Sequence, residues 1–328
     1  MKKFLIAIVI STITTNLFCQ SDSTKISFVS YWSIGDSYDF KVSKIKQQWK
    51  KGVLSEDEKQ EYIANFTVID STENSYTIRW SYENDLGNTY RIPEKLLSKL
   101  SKYKITEIEY KTSEVGELIE ILNWEEVGKT MNNMFDDMVE VLSQEDSKKR
   151  ESYKTAMQPI KEIYSSKQGV EQLVLKELQY FHFPMGVELN ISEPTYFDDE
   201  LPNMFGGNPI KAKSKLYFES IDFDESFCVL KHEMNLNTVD TREFLEQVFK
   251  KMSLDDKELE KALQTAVFEI KDTNTYEYYY YPGVPHKIET IRETIVDIDK
   301  EKSKRIDKTI IELIYNEQRS QLQHQADQ

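Results

Sequence analysis

Cys228 and His232 are the residues whose types best fit nucleophilic or metal chemistry. Strand alternation places them on one face together with Leu230, Met234 and Leu236. A cysteine and a histidine can form a nucleophile with its base, or two soft metal ligands. Positions four apart on a strand are separated by about 13 Å, because each residue advances the chain by about 3.3 Å. The pair therefore cannot touch, and His232 is predicted to be a buried histidine satisfied by one hydrogen bond.

The remaining candidate ligands lack the spacing of a metal site. The acidic clusters at 198–200 and 222–225 hold carboxylates, but they lack the fixed offsets and central glycine of a calcium-binding loop. The chain has four histidines and two cysteines, and they form no HExxH or CxxC motif. We therefore predict solvated turns at the acidic clusters, no metal, no cofactor and no enzymatic activity.

Methionine and aromatic side chains offer apolar surface instead. Methionines recur at helical spacing after position 130, and such surfaces adapt to variable ligands. A histidine lies among aromatic residues at 180–184, and the run at 276–281 puts rings on both faces of a strand. Core packing explains the same residues, so both interpretations stay open. The residues predicted to line an apolar groove are Met131, Met134, Met138, His182, Tyr278 and Tyr280.

The N-terminus reads as a signal peptide over 1–19. Lys2 and Lys3 precede an apolar run at 4–10, which is far shorter than a membrane-spanning helix. We expect cleavage after Cys19, because bulky Phe18 does not suit a lipoprotein signal. Lipidation of Cys19 is the alternative. The sequence thus predicts an exported protein, periplasmic or extracellular, whose mature monomer has one cysteine and no internal disulfide.

The charge balance is acidic, with 57 Asp and Glu residues against 42 Lys and Arg residues and a formal net charge of −15. Phosphate backbones repel such a chain, so nucleic acid is not an expected partner. No later apolar run is long enough to span a bilayer, so we predict no transmembrane segment.

Hydrophobic periodicity divides the rest of the chain into strands and helices. Period-two alternation predicts strands around 38–42, 62–68 and 76–82, and a hairpin over 104–123. Helical spacing predicts helices over 124–142, 147–165, 170–179, 241–252 and 255–263. Further strands are predicted over 211–221, 227–236, 266–281, 286–298 and 305–315.

This order predicts an α+β fold, a large curved antiparallel sheet (an incomplete barrel) with helices packed on one face. We expect a single unit over 20–315: β over 28–123, helical over 124–180, a Pro/Gly loop over 184–209, and β/α/β over 210–315. The loop should hold one extended piece at 187–191. The tail at 316–328 is expected to be flexible.

Aromatic strands, a helical insertion, a Pro/Gly-rich loop and long closing hairpins together resemble the LolA/LppX-like periplasmic carriers. The chain also resembles uncharacterised secreted proteins of Gram-negative bacteria whose signal peptides end just before glutamine. The carrier resemblance implies a curved incomplete barrel, covered by helices, that encloses an apolar cavity for acyl chains or another lipophile.

Two functional hypotheses follow. The first is a non-catalytic envelope protein whose ligand is a lipophile or an apolar protein segment. The second is a secreted surface-interaction protein that binds a protein or glycan through the loop at 184–209.

Overall fold

The computed structural model describes residues 24–82, 99, 102–103, 106–144, 146–173, 176–203, 207–251, 266–298 and 301–315. The predicted signal peptide at 1–19, the predicted helix at 255–263 and the tail at 316–328 lie outside this part, so they stay predictions. The described residues form thirteen strands and five helices.

The first half of the chain is a run of strands followed by four helices. The strands are β1 (Lys25–Ser27), β2 (Ser37–Lys50), β3 (Val53–Thr72), β4 (Ser75–Tyr82), β5 (Glu107–Ser113) and β6 (Leu118–Ile121). The helices are α1 (Trp124–Ser143), α2 (Ser147–Tyr164), α3 (Lys167–Leu173) and α4 (Lys176–His182).

The second half returns to strands, interrupted by one helix. The strands are β7 (Glu188–Asn190), β8 (Thr195–Leu201), β9 (Ile210–Asp222), β10 (Phe227–Leu236), β11 (Val267–Tyr279), β12 (Val284–Ile298) and β13 (Glu301–Ile314). Helix α5 (Thr238–Lys251) lies between β10 and β11.

Eleven of the strands form one antiparallel sheet, ordered β6-β5-β4-β3-β2-β13-β12-β11-β10-β9-β8. Each half of the chain is a meander, and the halves join where β2 pairs with β13. Strands β6 and β8 are the edges, so the sheet does not close into a barrel. The predicted α+β class with a large, incomplete antiparallel barrel is confirmed. Strands β1 and β7 form a separate two-stranded sheet.

Register assigns side chains to the two faces of the sheet, because residues directly opposite each other point the same way. One apolar row crosses five adjacent strands and is buried, and the face that carries it is here called the inner face. Its members are Val42, Ile311, Ile288, Tyr276 and Leu230. The outer face mixes charged residues with half-buried isoleucines such as Ile291 and Ile310. Ion pairs link its strands, such as Lys41 with Glu61 at 2.9 Å and Lys308 with Glu289 at 2.6 Å.

Helix α4 covers one end of the inner face. The Phe181 ring lies 5.3 Å from Phe40, 5.2 Å from Phe66 and 5.7 Å from Trp80, measured between ring centroids. Phe181 is fully buried, as are its three partners. The apolar end of the sheet is therefore filled by this short helix.

Helices α1 and α2 pack closely at a glycine. A β-carbon on Gly128 of α1 would lie 2.4 Å from the Tyr164 carbonyl oxygen at the end of α2. Only glycine permits this approach, so Gly128 sets how closely the two helices meet.

Two predictions are corrected in detail. The predicted helix at 170–179 is divided between α3 and α4, which lets α4 turn Phe181 and His182 toward the sheet. The predicted loop at 184–209 contains the extended piece as β7, but it also contains strand β8. Pro194 and Pro202 flank β8 and do not interrupt it. As an edge strand, β8 carries three consecutive acidic residues, so its sequence lacks the alternation of apolar and polar residues that predicts a strand.

Candidate functional site

A polar row follows the apolar row two residues further along the inner face. It consists of Lys44, Thr309, Thr290, Asn274 and His232, which lie opposite one another on β2, β13, β12, β11 and β10. Two residues beyond it comes the charged row, formed by Lys46, Asp307, Arg292 and Asp272. The inner face thus changes from apolar to charged across the width of the sheet.

His232 is the centre of a buried hydrogen-bond chain that crosses four strands. The Asn274 Nδ2 nitrogen can only donate, so at 3.1 Å it makes His232 Nδ1 the acceptor. The His232 proton then lies on Nε2, which donates to Ser214 Oγ at 3.3 Å. Ser214 in turn donates to Asp199 Oδ2 at 3.0 Å. Every polar group of the imidazole is therefore satisfied.

Two phenyl rings also stack on the His232 imidazole. Phe183 stacks on it with centroids 4.7 Å apart, and Phe197 stacks with centroids 6.1 Å apart. Burial lowers the pKa of His232, against smaller opposing effects of the Asp199 and Asp272 charges. A proton on Nδ1 would also face the Asn274 amide hydrogens, so the histidine is held neutral.

Ser214 and His232 do not form a nucleophile and base. The serine hydroxyl accepts from the imidazole and donates to the carboxylate, whereas a general base would accept the serine proton. Ser214 is only 4% exposed, so its oxygen is closed to a substrate. The chain of hydrogen bonds fixes strand β9 and edge strand β8 against the centre of the sheet.

The charged row, by contrast, remains in contact with water. Arg292 donates to both carboxylate oxygens of Asp272, at 2.7 and 2.6 Å, and Arg305 does the same to Asp307. Although β12 is a central strand, 31% of the Arg292 side chain is exposed, and Asp307 on β13 is 38% exposed. Solvent therefore reaches the middle of the inner face at this row.

Helix α4 adds charge to the same region. Glu177 is buried, accepts from the Tyr62 hydroxyl at 2.9 Å and forms an ion pair with Lys44. Lys176 precedes it and interacts electrostatically with Arg292, Asp272 and Asp307. Burial lowers the pKa of Lys176, and the neighbouring positive charge of Arg292 lowers it further.

Helix α5 borders the charged row on its other side. Phe244 and Ile270 are partly buried and pack against the apolar cluster that contains Met234, and Leu245 and Val296 pack against the cluster that contains Phe268. Ile270 and Val296 lie on the inner face, because Ile270 is opposite Thr294 and Val296 is opposite Phe268. We name the part of the inner face between α4 and α5 the central strip. It consists of the partly exposed residues Arg292, Thr294, Val296 and Ile270 together with Asp272, which is buried.

The predicted methionines lie on α1, away from this strip. Met131, Met134 and Met138 are half-buried beside the α1 residues that reach the core, such as Val127 and Phe135. Their prediction as ligand contacts stays a prediction.

His182 and Tyr278 are packed into the apolar end of the inner face. His182 Nδ1 donates to the Gly116 carbonyl at 2.8 Å, which leaves Nε2 to accept from the Tyr110 hydroxyl at 3.0 Å. Burial lowers the pKa of His182 to about 4. Tyr278 is fully buried, and half-buried Tyr280 packs against the same cluster. In the described part of the chain, the six predicted residues do not converge on one cleft.

Cys228 lies on the inner face as predicted, four positions from His232 on strand β10. It is buried, and burial raises the pKa of its thiol to about 12. Within the described residues, no group of three histidine, cysteine or acidic side chains is placed to hold a metal ion. In that same part of the chain, every helix is too short or too polar to cross a membrane.

Sequence reasoning missed Arg292, Asp272 and Lys176. Each lies in an ordinary charged stretch, and no local motif marks it. The signal that identifies them is the register of β11, β12 and β13, which brings together residues distant in sequence.

No protein-family model matches the chain, and no curated protein matches it. A solved structure concerned with lipid–protein interactions in lipovitellin is similar with a TM-score of 0.38 and 9% identity, over 86% of this chain. The match covers 25% of the lipovitellin chain, so this chain spans about a quarter of that protein's length. A TM-score this low carries no argument about the ligand.

Proposed function

We propose that the protein is a non-catalytic binding protein that holds a lipophile, or the apolar segment of a partner protein, on the inner face of its sheet. One observation carries the proposal. Helices α4 and α5 cover the two ends of the inner face, and the side chains of central strand β12 between them keep contact with solvent. The side chains of a central strand are usually covered on the face that carries the core. Their exposure on β12 therefore supports a binding role for this face.

The composition of the central strip supports an apolar or amphiphilic ligand. Ile270 and Val296 are partly exposed, and they pack against the same apolar clusters as Phe244 and Leu245 of α5. A ligand chain laid along α5 would bury this remaining apolar surface, which favours binding by about 25 cal/mol for each Å² removed from water. The resemblance to LolA/LppX-like carriers points to the same class of ligand.

The test uses two tryptophan substitutions on one strand. Thr294 and Ile295 are neighbours on β12, and they lie on the inner and outer faces respectively. The mature protein is titrated with a dansyl-labelled fatty acid, and binding is followed by fluorescence. Thr294→Trp should weaken binding at least tenfold because the new ring occupies the strip, and Ile295→Trp should bind like the wild type. Equal affinities for the wild type and both variants, or no binding by any of them, would contradict the proposal.

We further propose that this binding takes place outside the cytoplasm, following cleavage after Cys19. The intact mass of the protein recovered from the envelope tests this point. A mass that matches a chain beginning at Gln20 supports cleavage, whereas a mass that includes a diacylglyceryl adduct on Cys19 identifies a lipid-anchored protein instead.

A second candidate function is contact with a protein or glycan through the segment at 184–209. Tyr196 lies in this segment on edge strand β8 and is 72% exposed. Open edge strands and exposed tyrosines both favour partner binding. The test is whether the Tyr196→Ser variant loses a partner that the wild type retains from the envelope. Loss of that partner, with normal binding of the labelled fatty acid by the variant, would favour this second function.

A further inference from the structure

Lys176 is a cation placed over the centre of the inner face. Its charge interacts with Asp272 on β11, Arg292 on β12 and Asp307 on β13, three adjacent strands. The lysine begins helix α4 next to Glu177, which pairs with Lys44 of the polar row, while Phe181 further along α4 packs on Phe40 at the apolar end. Lys176 therefore lies on the side of α4 toward the central strip.

The carboxylates around Lys176 are already occupied. Asp272 accepts two hydrogen bonds from Arg292, and Asp307 accepts two from Arg305. Glu177, the next residue in the chain, is bound by Lys44 and by the Tyr62 hydroxyl. Among the described residues, no carboxylate lies within ion-pair distance of the Lys176 ammonium group.

Arg292, which interacts electrostatically with Lys176, has hydrogen-bonding capacity left. Its Nε and Nη2 atoms donate to Asp272, and its Nη1 atom has no acceptor among the described residues. Guanidinium groups commonly bind carboxylate or phosphate through their remaining N–H groups. Lys176 has no ion-pair partner among the described residues, and Arg292 still has an N–H group to donate. Together the two positive charges form a site that fits an anion.

The surroundings restrict the kind of anion. Asp272 lies opposite Met234, and Ile270 follows two positions along the same face, so the cations adjoin the apolar surface that α5 covers. We propose that Lys176 and Arg292 bind the carboxylate or phosphate headgroup of an amphiphile whose apolar chain lies along α5. This inference rests on the proposed function and names its ligand class.

The test compares ligands that share one chain and differ in charge. Oleate and lysophosphatidate carry an anionic group, methyl oleate carries none, and acetate and inorganic phosphate lack the chain. The wild type should bind oleate about tenfold tighter than methyl oleate, a difference of about 1.4 kcal/mol. Acetate and inorganic phosphate alone should bind at least tenfold more weakly than the amphiphiles that carry the same group. Affinities of the free anions equal to those of the amphiphiles would overturn the headgroup assignment.

Variants of Lys176 locate the effect. Lys176→Gln should weaken oleate and lysophosphatidate about tenfold and leave methyl oleate unchanged, while Lys176→Arg should retain the preference. Lys149→Gln, at an exposed position of α2, removes one charge elsewhere and should change nothing. Unchanged oleate affinity in Lys176→Gln, or an equal loss for methyl oleate, overturns the inference. If methyl oleate and oleate bind equally to all forms, the anion site fails and the binding function stands; if neither binds, the proposed function itself fails.

Discussion

Arg292 and Asp272 form a two-pronged ion pair in the middle of the inner face, with Arg292 Nε and Nη2 at 2.7 and 2.6 Å from the two carboxylate oxygens. The pair links β12 to β11 at directly opposite positions. Asp272 is nearly buried, whereas part of Arg292 remains exposed. The guanidinium thus neutralises the carboxylate on one side and faces solvent on the other.

Breaking this pair should destabilise the fold. Asp272→Asn removes the partner of a cation in the centre of the sheet, and we expect a loss of about 2 kcal/mol in the free energy of unfolding, below the full cost of a buried pair because Arg292 is partly hydrated. Urea denaturation followed by circular dichroism measures the change. The matched control is Asp307→Asn, which breaks the more exposed pair with Arg305 and should cost under about 1 kcal/mol. Equal losses in the two variants would show that the Asp272 pair gains nothing from its position.

Acid should destabilise the protein through His182. Its folded-state pKa of about 4 lies below the ordinary value of 6.5, so the folded state binds a proton less readily than the unfolded state. The stability that this histidine contributes is complete above pH 6.5 and is lost as the pH falls toward 4. Between pH 7 and pH 4.5 the wild type should lose about 2 kcal/mol more than His182→Gln, since each pKa unit is worth about 1.4 kcal/mol.

Unfolding titrations of both proteins at the two pH values measure this difference. Identical pH dependence of wild type and His182→Gln would contradict the prediction. NMR titration of the His182 ring provides the independent check, because its midpoint should lie near the low value.

Alanine at position 128 should be harmful despite its helix preference. In an exposed helix, glycine to alanine is favourable by about 1 kcal/mol. Here the added carbon would lie 2.4 Å from the Tyr164 carbonyl oxygen, so α1 and α2 must move apart. We expect Gly128→Ala to lower the free energy of unfolding by about 2 kcal/mol, the usual cost of overpacking. Lys129→Ala, at the exposed neighbouring position, should change it by less than about 0.5 kcal/mol. A stabilised Gly128→Ala variant would be incompatible with the helix contact.

Removing the Ser214 hydroxyl should test the His232 hydrogen-bond chain. In Ser214→Ala the Nε2 proton of His232 loses its acceptor in a buried setting, and Asp199 loses a donor. An unsatisfied buried group costs about 2 kcal/mol, which thermal or urea unfolding will detect. Ser220→Ala, on the exposed end of the same strand, serves as the control and should be neutral. No loss in Ser214→Ala would mean that another group satisfies the histidine.

The sequence predicted the strands and helices wherever burial is one-sided. Tyr62 and Phe66 on β3 alternate with polar neighbours, and the α1 residues Val127 and Phe135 recur at helical spacing. The pattern failed at β8, where consecutive acidic residues fall on both faces, and at the end of β2 beyond Lys44, where lysine and glutamine occupy most positions. These stretches are held as strands by backbone pairing with a neighbour, a cause that local hydrophobicity does not record.

The candidate site was beyond sequence reasoning for a related reason. His232 was predicted to be buried and satisfied by one hydrogen bond; the structure buries it but gives it two, to Asn274 and Ser214. Its burial was predictable because the local alternation around it is clear. Lys176, Arg292 and Asp272 become neighbours only through the pairing of β11 with β12 and the placement of α4. Their meeting depends on tertiary register, and a single sequence does not specify it.

The pairing of β2 with β13 has a consequence for how the chain reaches its native state. Phe40 on β2 lies opposite Leu313 on β13, so the first long strand cannot pair until the last strand of the chain is available. Only then can the two meanders form one sheet. Contacts between such distant positions form slowly, because a very long loop must close first. Until that moment the middle of the sheet consists of two unpaired edges, which is the interval in which a chaperone or a neighbouring chain could engage them.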